Sequence, residues 1–129
     1  MRGGRQWADT AIWWHVYPLG FVGADTRANP RGEVAHELPR LTAWLDDLLD
    51  LGCNGLLLGP TFDSGSHGYD TVDHLRIDPR LGDDADADAL FAACRERGIR
   101  VLLDGVFNHV GRSHPWWRAA VEAGPGSAA

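Results

Sequence analysis

The stretch Val101-Leu-Leu-Asp-Gly-Val-Phe-Asn-His-Val110 decides the fold assignment. Its nearly unbroken apolar run is typical of a parallel strand that is covered on both faces. Three polar side chains, Asp104, Asn108 and His109, follow where this strand is expected to end. Because α/β folds build their active sites at the carboxyl ends of parallel strands, this stretch predicts a functional edge of the molecule.

Strands and helices are predicted to alternate along the chain. Apolar and β-branched runs predict strands over residues 11–17, 55–58 and 99–106. Leucines at three- and four-residue steps predict an amphipathic helix over residues 38–51, and a second helix follows the capping carboxylate Asp83. Such alternation is typical of βαβ units and a parallel sheet.

The connections favour one kind of parallel fold, a (β/α)₈ barrel. A long irregular loop is predicted over residues 59–83, after a strand, whereas the turns from helix to strand are short. A complete barrel needs roughly 250 residues, so a chain of this length predicts either a small three-stranded α/β domain or the first three strands and two helices of a partial (β/α)₈ barrel. We assign the barrel segment to residues 11–123, with a new helix starting at 116, a polar leader over 1–10 and a Gly/Ser/Ala tail over 124–129.

Composition limits the partners and the location of the chain. The net charge of −6 predicts neither nucleic-acid binding nor attachment to an anionic membrane. Residues 1–9 are polar, and no run resembles a signal peptide or a membrane span, which favours a cytoplasmic protein. Cys53 and Cys94 lie among apolar neighbours, so free buried thiols are expected, although a disulfide stays open at this point.

Several motifs of the chain together match those of one family. Asp104-Gly-Val-Phe-Asn-His109 is similar to the signature Asp-x-Val-x-Asn-His, which that family has at the end of its third barrel strand. His67-Gly-Tyr-Asp-Thr71 with Ile77-Asp-Pro-Arg-Leu-Gly82 resembles its loop after the second strand, and Trp14-His-Val-Tyr-Pro18 resembles its first strand. In this order and spacing, over most of residues 11–118, the segments resemble the α-amylase family of glycoside hydrolases and glucanotransferases.

The resemblance implies roles for five residues. It implies that Tyr69 stacks on a sugar of an α-glucan or oligosaccharide substrate, and that His67 and His109 form hydrogen bonds to the same sugar. It also implies that Asp104 supports the floor of the site, where family members pair it with an arginine that has no counterpart here. Asn108 matches a position that binds Ca²⁺ in some members, while many subfamilies do without the metal.

The two carboxylates that retaining glycosidases require are not among the matched motifs. In the family they come from later strands, so the resemblance implies a chain without catalytic residues, completed in cis by the remainder of a barrel. Two hypotheses stay open: the N-terminal part of an α-glucan-acting glycosidase, and a non-catalytic glucan-binding or interaction protein. A metal site formed by Asp104, His109 and His114 is a weaker hypothesis, because the five-residue gap between the histidines does not place them on one helical face.

Overall fold

The computed structural model describes residues 6–126. After a 3₁₀ turn at Trp7–Thr10, the elements in chain order are β1 (Trp13–Val16), α1 (Pro18–Phe21), α2 (Leu38–Thr42), α3 (Leu45–Asp50), β2 (Gly55–Leu58), β3 (Phe62–Ser64), β4 (Thr71–Ile77), α4 (Asp84–Glu96), β5 (Arg100–Leu103) and α5 (Pro115–Ala123). Of the predicted leader and tail, residues 1–5 and 127–129 lie outside the described residues.

Three parallel strands form the predicted sheet, in the order β1-β2-β5. Their register aligns His15, Leu57 and Leu102 in one row across the sheet. Leu56 and Leu58 of the central strand point to the other face, where both are almost fully buried against the helices. The partial α/β barrel expected from the sequence is therefore confirmed in its order and strand direction.

The predicted helix over residues 38–51 is two shorter helices. Helix α2 ends at Thr42 and α3 begins at Leu45, so that Trp44 stands at the break with its ring stacked on Trp14 at 6.4 Å. The break keeps the predicted leucine stripe on one side, because Leu41 and Leu45 are both fully buried. The two indole rings pair at this interruption, and a pattern of leucines cannot show such a contact.

Helix α4 follows the prediction closely. The Asp83 carboxylate accepts a hydrogen bond from the Asp86 backbone N–H at 2.9 Å, and the Asp86 carboxylate accepts from the Asp83 N–H at 3.0 Å. This reciprocal capping satisfies two of the donors that every helix start leaves unpaired. The helix buries Leu90 and Cys94, and Gly98 closes it with a φ of 71°.

The predicted irregular connection over residues 59–83 is wrong in part. Strands β3 and β4 pair there in an antiparallel hairpin that extends from Phe62 to Ile77. Within Thr71–Ile77, Val72 to Leu75 alternate between half-buried and exposed side chains, which is the period of a half-exposed strand. Polar residues at four of its positions masked that pattern, since only its β-branched residues indicate a strand.

The remaining differences concern the ends of the elements. The third parallel strand ends at Leu103 instead of Val106, so that Asp104 to His109 form the loop beyond it. Helix α5 begins at Pro115, and none of its side chains is buried. Within residues 6–126, no helix has the length and apolar character needed to cross a membrane.

Candidate functional site

The loop between β3 and β4, residues 65–70, is closed at its base by its own hydrogen bonds. The Gly65 N–H donates to the Asp70 carbonyl at 3.1 Å. The Asp70 carboxylate accepts from the Ser66 N–H at 3.1 Å and from the Ser66 hydroxyl at 2.8 Å. These bonds bring the two ends of the loop together, and His67, Gly68 and Tyr69 form its tip.

Two glycines let this loop approach the rest of the molecule closely. Gly68 has a φ of 98°, and a Cβ there would lie 3.0 Å from the Pro60 ring. A Cβ on Gly111 would lie 2.5 Å from the Asp70 carbonyl oxygen, so only glycine fits against the loop at that position. The Gly111 N–H also donates to the Thr71 carbonyl at 2.8 Å. The segment after β5 is thereby joined to the hairpin.

The structure brings together the three residues for which sugar contacts were predicted. The rings of His67 and Tyr69 lie 6.1 Å apart, and Nε2 of His109 lies 2.8 Å from the Tyr69 carbonyl oxygen. All three side chains are exposed at the carboxyl ends of the parallel strands. A flat ring with two imidazoles beside it offers a stacking surface and hydrogen-bonding groups for a sugar.

Local hydrogen bonds engage different ring nitrogens of His67 and His109, so that each imidazole leaves a different nitrogen free. The Tyr69 N–H donates to Nδ1 of His67 at 3.2 Å, so a neutral His67 ring carries its proton on Nε2. A carbonyl oxygen only accepts, and Nε2 of His109 must therefore carry the proton of a neutral ring. His67 is left with a free donor and His109 with a free acceptor, Nδ1, which suits a hydroxyl group that can do both.

Asp104 and Asn108 lie in the segment between β5 and His109. Asp104 is half-buried, its N–H donates to the Leu58 carbonyl at 2.9 Å, and no other described residue forms a hydrogen bond or ion pair with its carboxylate. Asn108 is exposed on the turn before His109. One amide oxygen supplies one of about 6–8 ligands that Ca²⁺ takes, so Asn108 alone does not make a calcium site.

The metal site of Asp104, His109 and His114 is not formed. In the described part of the chain, the one group of three His, Cys, Asp or Glu side chains close enough to share an ion is His36, Asp83 and Asp86. Nδ1 of His114 instead accepts from the Trp116 N–H at 3.1 Å and caps α5. Both carboxylates of the His36 group are occupied in capping α4.

A buried ion pair beneath the loop was not predicted. Asp78 and Arg80 are 1% and 8% exposed, and their side chains form two hydrogen bonds of 2.9 and 2.7 Å. Ser64 joins them, because its hydroxyl lies 3.2 Å from Asp78 and 3.0 Å from Arg80. The Ile77–Gly82 motif contains this pair, but a sequence pattern does not show which side chains a motif buries.

A second buried carboxylate, Asp63, lies on the same hairpin. It accepts from the Arg31 guanidinium at 2.9 Å and from the Asn29 amide at 3.2 Å. Burial raises the pKa of Asp63, and the nearby Arg31 charge opposes that rise only in part. These contacts tie the segment before α2 to β3.

Comparison with known sequences finds one family model and several similar proteins. The sequence profile of the alpha amylase catalytic domain matches residues 15–128. An intracellular maltogenic amylase of Bacillus subtilis is 32% identical over 133 residues, covering 92% of this chain and 23% of the relative. A cyclomaltodextrinase of a Bacillus species is 38% identical over 123 residues, covering 84% and 22%. The chain thus spans less than a quarter of the length of these relatives.

Comparison with solved structures finds a similar fold in a carbohydrate hydrolase. The ligand-free cyclic alpha-maltosyl-(1→6)-maltose hydrolase of Arthrobacter globiformis matches with a TM-score of 0.75 and 33% identity, over 95% of this chain and 31% of that one. The same hydrolase in complex with cyclic alpha-maltosyl-(1→6)-maltose matches equally well, over 95% and 30%. The fold of this chain is therefore similar to that of about a third of the hydrolase chain.

Proposed function

Because the chain belongs to the alpha amylase catalytic-domain family, we propose that it is the N-terminal part of a retaining glycosidase barrel that acts on α-glucosidic bonds of glucans or maltooligosaccharides. The observation that supports this most directly is the convergence of His67, Tyr69 and His109 on one exposed edge. The relatives include a maltogenic amylase, a cyclomaltodextrinase and a glucan 1,6-alpha-glucosidase. The name of the Bacillus subtilis relative supports a cytoplasmic location.

In this proposal the described residues bind and orient a sugar. The Tyr69 ring stacks on the C–H face of the pyranose, while His67 donates to one hydroxyl and His109 Nδ1 accepts from another. Asp104 supports the floor of the site from the end of β5, and Asn108 is the candidate calcium ligand in the complete protein. None of these residues is assigned an acid, base or nucleophile role.

Cleavage needs two further carboxylates, about 5–5.5 Å apart, one as nucleophile and one as acid/base. In this family they lie on later barrel strands, so the proposed partner of this segment is the remainder of the barrel in the same polypeptide. Two features support such a partner. Strand β5 is an edge strand of the parallel sheet, and Leu75 of β4, Phe107 of the loop after β5 and Trp116 of α5 are 92%, 82% and 70% exposed. A cavity of about 500 Å³ lies among the same side chains.

The alternative, a stand-alone glucan-binding or interaction protein, has no observation in its favour. The matched relatives carry the names of enzymes. The exposed side chains of Leu75 and Phe107 fit a covering protein element better than a sugar, since neither side chain has a hydrogen-bonding group.

The test compares the 129-residue chain with the complete enzyme on maltoheptaose and cyclomaltodextrin. We expect no turnover by the chain alone, and release of maltooligosaccharides by the complete enzyme. In the complete enzyme, Tyr69→Ala is expected to lower kcat/KM by roughly 100-fold or more, because the stacking surface under the reacting sugar is lost. Tyr69→Phe is the matched variant, since it keeps the ring. Turnover by the chain alone, or an unchanged rate for Tyr69→Ala, would contradict the proposal.

A further inference from the structure

We propose that Tyr17 is a positioning residue for the proposed sugar-binding loop. Its hydroxyl holds the backbone of His67, and through it the orientation of the His67 and Tyr69 side chains. What the loop binds rests on the proposed function, whereas the contact that holds the loop does not. The nearest structural alternative is that Tyr17 only fills space at the end of β1.

Tyr17 is placed for this contact by the end of the first strand. Strand β1 ends at Val16, and Pro18 starts the single turn of α1 directly after Tyr17. The Tyr17 hydroxyl donates to the His67 carbonyl at 2.7 Å, across 50 residues of sequence. Partial burial raises the pKa of the Tyr17 phenol, so the hydroxyl keeps its proton to donate.

The loop needs an external anchor because its own bonds close only its base. The tip is held on two sides by contacts to backbone carbonyls: Tyr17 binds the His67 carbonyl, and His109 binds the Tyr69 carbonyl. Between these points the Tyr69 N–H donates to the His67 ring at 3.2 Å. This bond links His67 directly to Tyr69, so we expect loss of the Tyr17 bond to loosen both residues.

The Tyr17 ring packs against Gly20, where a side chain would collide with it. A Cβ on Gly20 would lie 2.8 Å from Cδ1 and 3.2 Å from Cε1 of Tyr17, so an alanine there must displace the ring. The backbone of Gly20 is helical and does not itself require glycine. Alanine has a higher helix propensity than glycine. The Gly20→Ala variant should therefore displace the Tyr17 ring without destabilising the backbone of α1.

The test uses Tyr17→Phe and Gly20→Ala, with Thr10→Val as the matched control. Thr10 makes the same type of bond, from its hydroxyl to the Trp7 carbonyl at 3.3 Å, far from the loop. In the 129-residue chain we expect NMR shifts of the His67 carbonyl and of the Ser66 and Tyr69 amides to move in both variants. Amide exchange at these positions should rise about tenfold, the size of effect that one hydrogen bond produces. Thr10→Val should leave the loop unchanged.

Three outcomes are distinguishable. Loop signals that stay unchanged in Tyr17→Phe and Gly20→Ala overturn the inference. Altered loop signals with an approximately tenfold lower kcat/KM in the complete enzyme support both the contact and its role in sugar binding. Altered loop signals with unchanged kcat/KM overturn the positioning role of Tyr17, whereas the proposed function of the loop itself is contradicted by an unchanged rate for Tyr69→Ala.

Discussion

At the scale of single residues, the buried pair of Asp78 and Arg80 is a contact in which the loss of either partner is costly. Each charge is compensated in place, since Arg80 binds both carboxylate oxygens and also donates to the Asp25 carbonyl at 2.7 Å. A buried pair of this kind adds little stability compared with an apolar pair of similar size. Removing one partner, however, leaves the other as a buried charge that neither a partner nor water compensates. The hairpin that carries the proposed sugar-binding loop therefore depends on both residues together.

Arg80→Ala is expected to lower the free energy of unfolding by roughly 3–5 kcal/mol, because Asp78 would keep only Ser64 and backbone donors. Urea titration of the chain measures this. Arg27→Ala is the matched control: Arg27 also pairs with an aspartate, Asp25, but its side chain is 90% exposed, and we expect no measurable change. Equal effects of the two substitutions would contradict the assignment of the buried pair.

The two cysteines should differ sharply in reactivity. Both are free, as expected from the sequence, but Cys94 is fully buried and Cys53 only in part. Burial raises the pKa of the Cys94 thiol to about 11, so almost no thiolate exists at neutral pH. Mass spectrometry after iodoacetamide treatment at pH 8 should find one label, on Cys53, in the folded chain and two after denaturation. Rapid native labelling of Cys94 would contradict its burial.

At the scale of elements, α4 carries a pH-dependent contact at its start. His36 lies 2.6 Å from the Asp86 carboxylate, and this hydrogen bond and charge raise the pKa of His36 above 6.5. The pKa of Asp86 lies below 3.8: burial acts to raise it, but hydrogen bonds from Asp83 and His36 outweigh that effect. The His36 contribution to stability is complete below pH 6.5 and is lost as pH rises through its folded pKa; that of Asp86 is lost on acidification below about 3.8.

The matched variant for this contact is His36→Asn. His36 has a φ of 50°, a conformation that asparagine tolerates, so the substitution removes the titration with little backbone strain. The free energy of unfolding of the original chain should fall between pH 6.5 and 8, and this slope should be reduced in His36→Asn. The same slope in both proteins would show that another group titrates there.

Elements with local signals were predicted well, whereas those that depend on distant contacts were not. The capping carboxylate Asp83 and the stop at Gly98 are local, and α4 has the expected limits. At the break between α2 and α3, Trp44 stacks on Trp14, which lies 30 residues earlier, and no local pattern contains that contact. Likewise the resemblance indicated His67, Tyr69 and His109. It did not indicate Tyr17 or Arg80, because their hydrogen bonds to the His67 and Asp25 carbonyls join residues that are 50 or more positions apart in the sequence.

At the scale of the whole molecule, the two faces of the parallel sheet differ. One face packs against the helices and holds the core leucines, while the other presents the row of His15, Leu57 and Leu102. Leu102 is 47% exposed although it lies in the middle of a strand. In a closed barrel this row would face the interior, which explains why a sheet face without helices carries leucines.

The exposed face and the unpaired edge of β5 should make the 129-residue chain associate with itself. Leu102 and Leu103 are neighbours on this strand with side chains on opposite faces, and only Leu103 packs against the core. Leu102→Lys should shift the mass measured by light scattering towards the 14.1 kDa of one chain, with little change in the free energy of unfolding. Leu103→Lys places a charge against the core and should unfold the chain or strongly destabilise it. If Leu102→Lys were as damaging as Leu103→Lys, the face that carries Leu102 would be buried in the isolated chain, and the open barrel segment would be the wrong description.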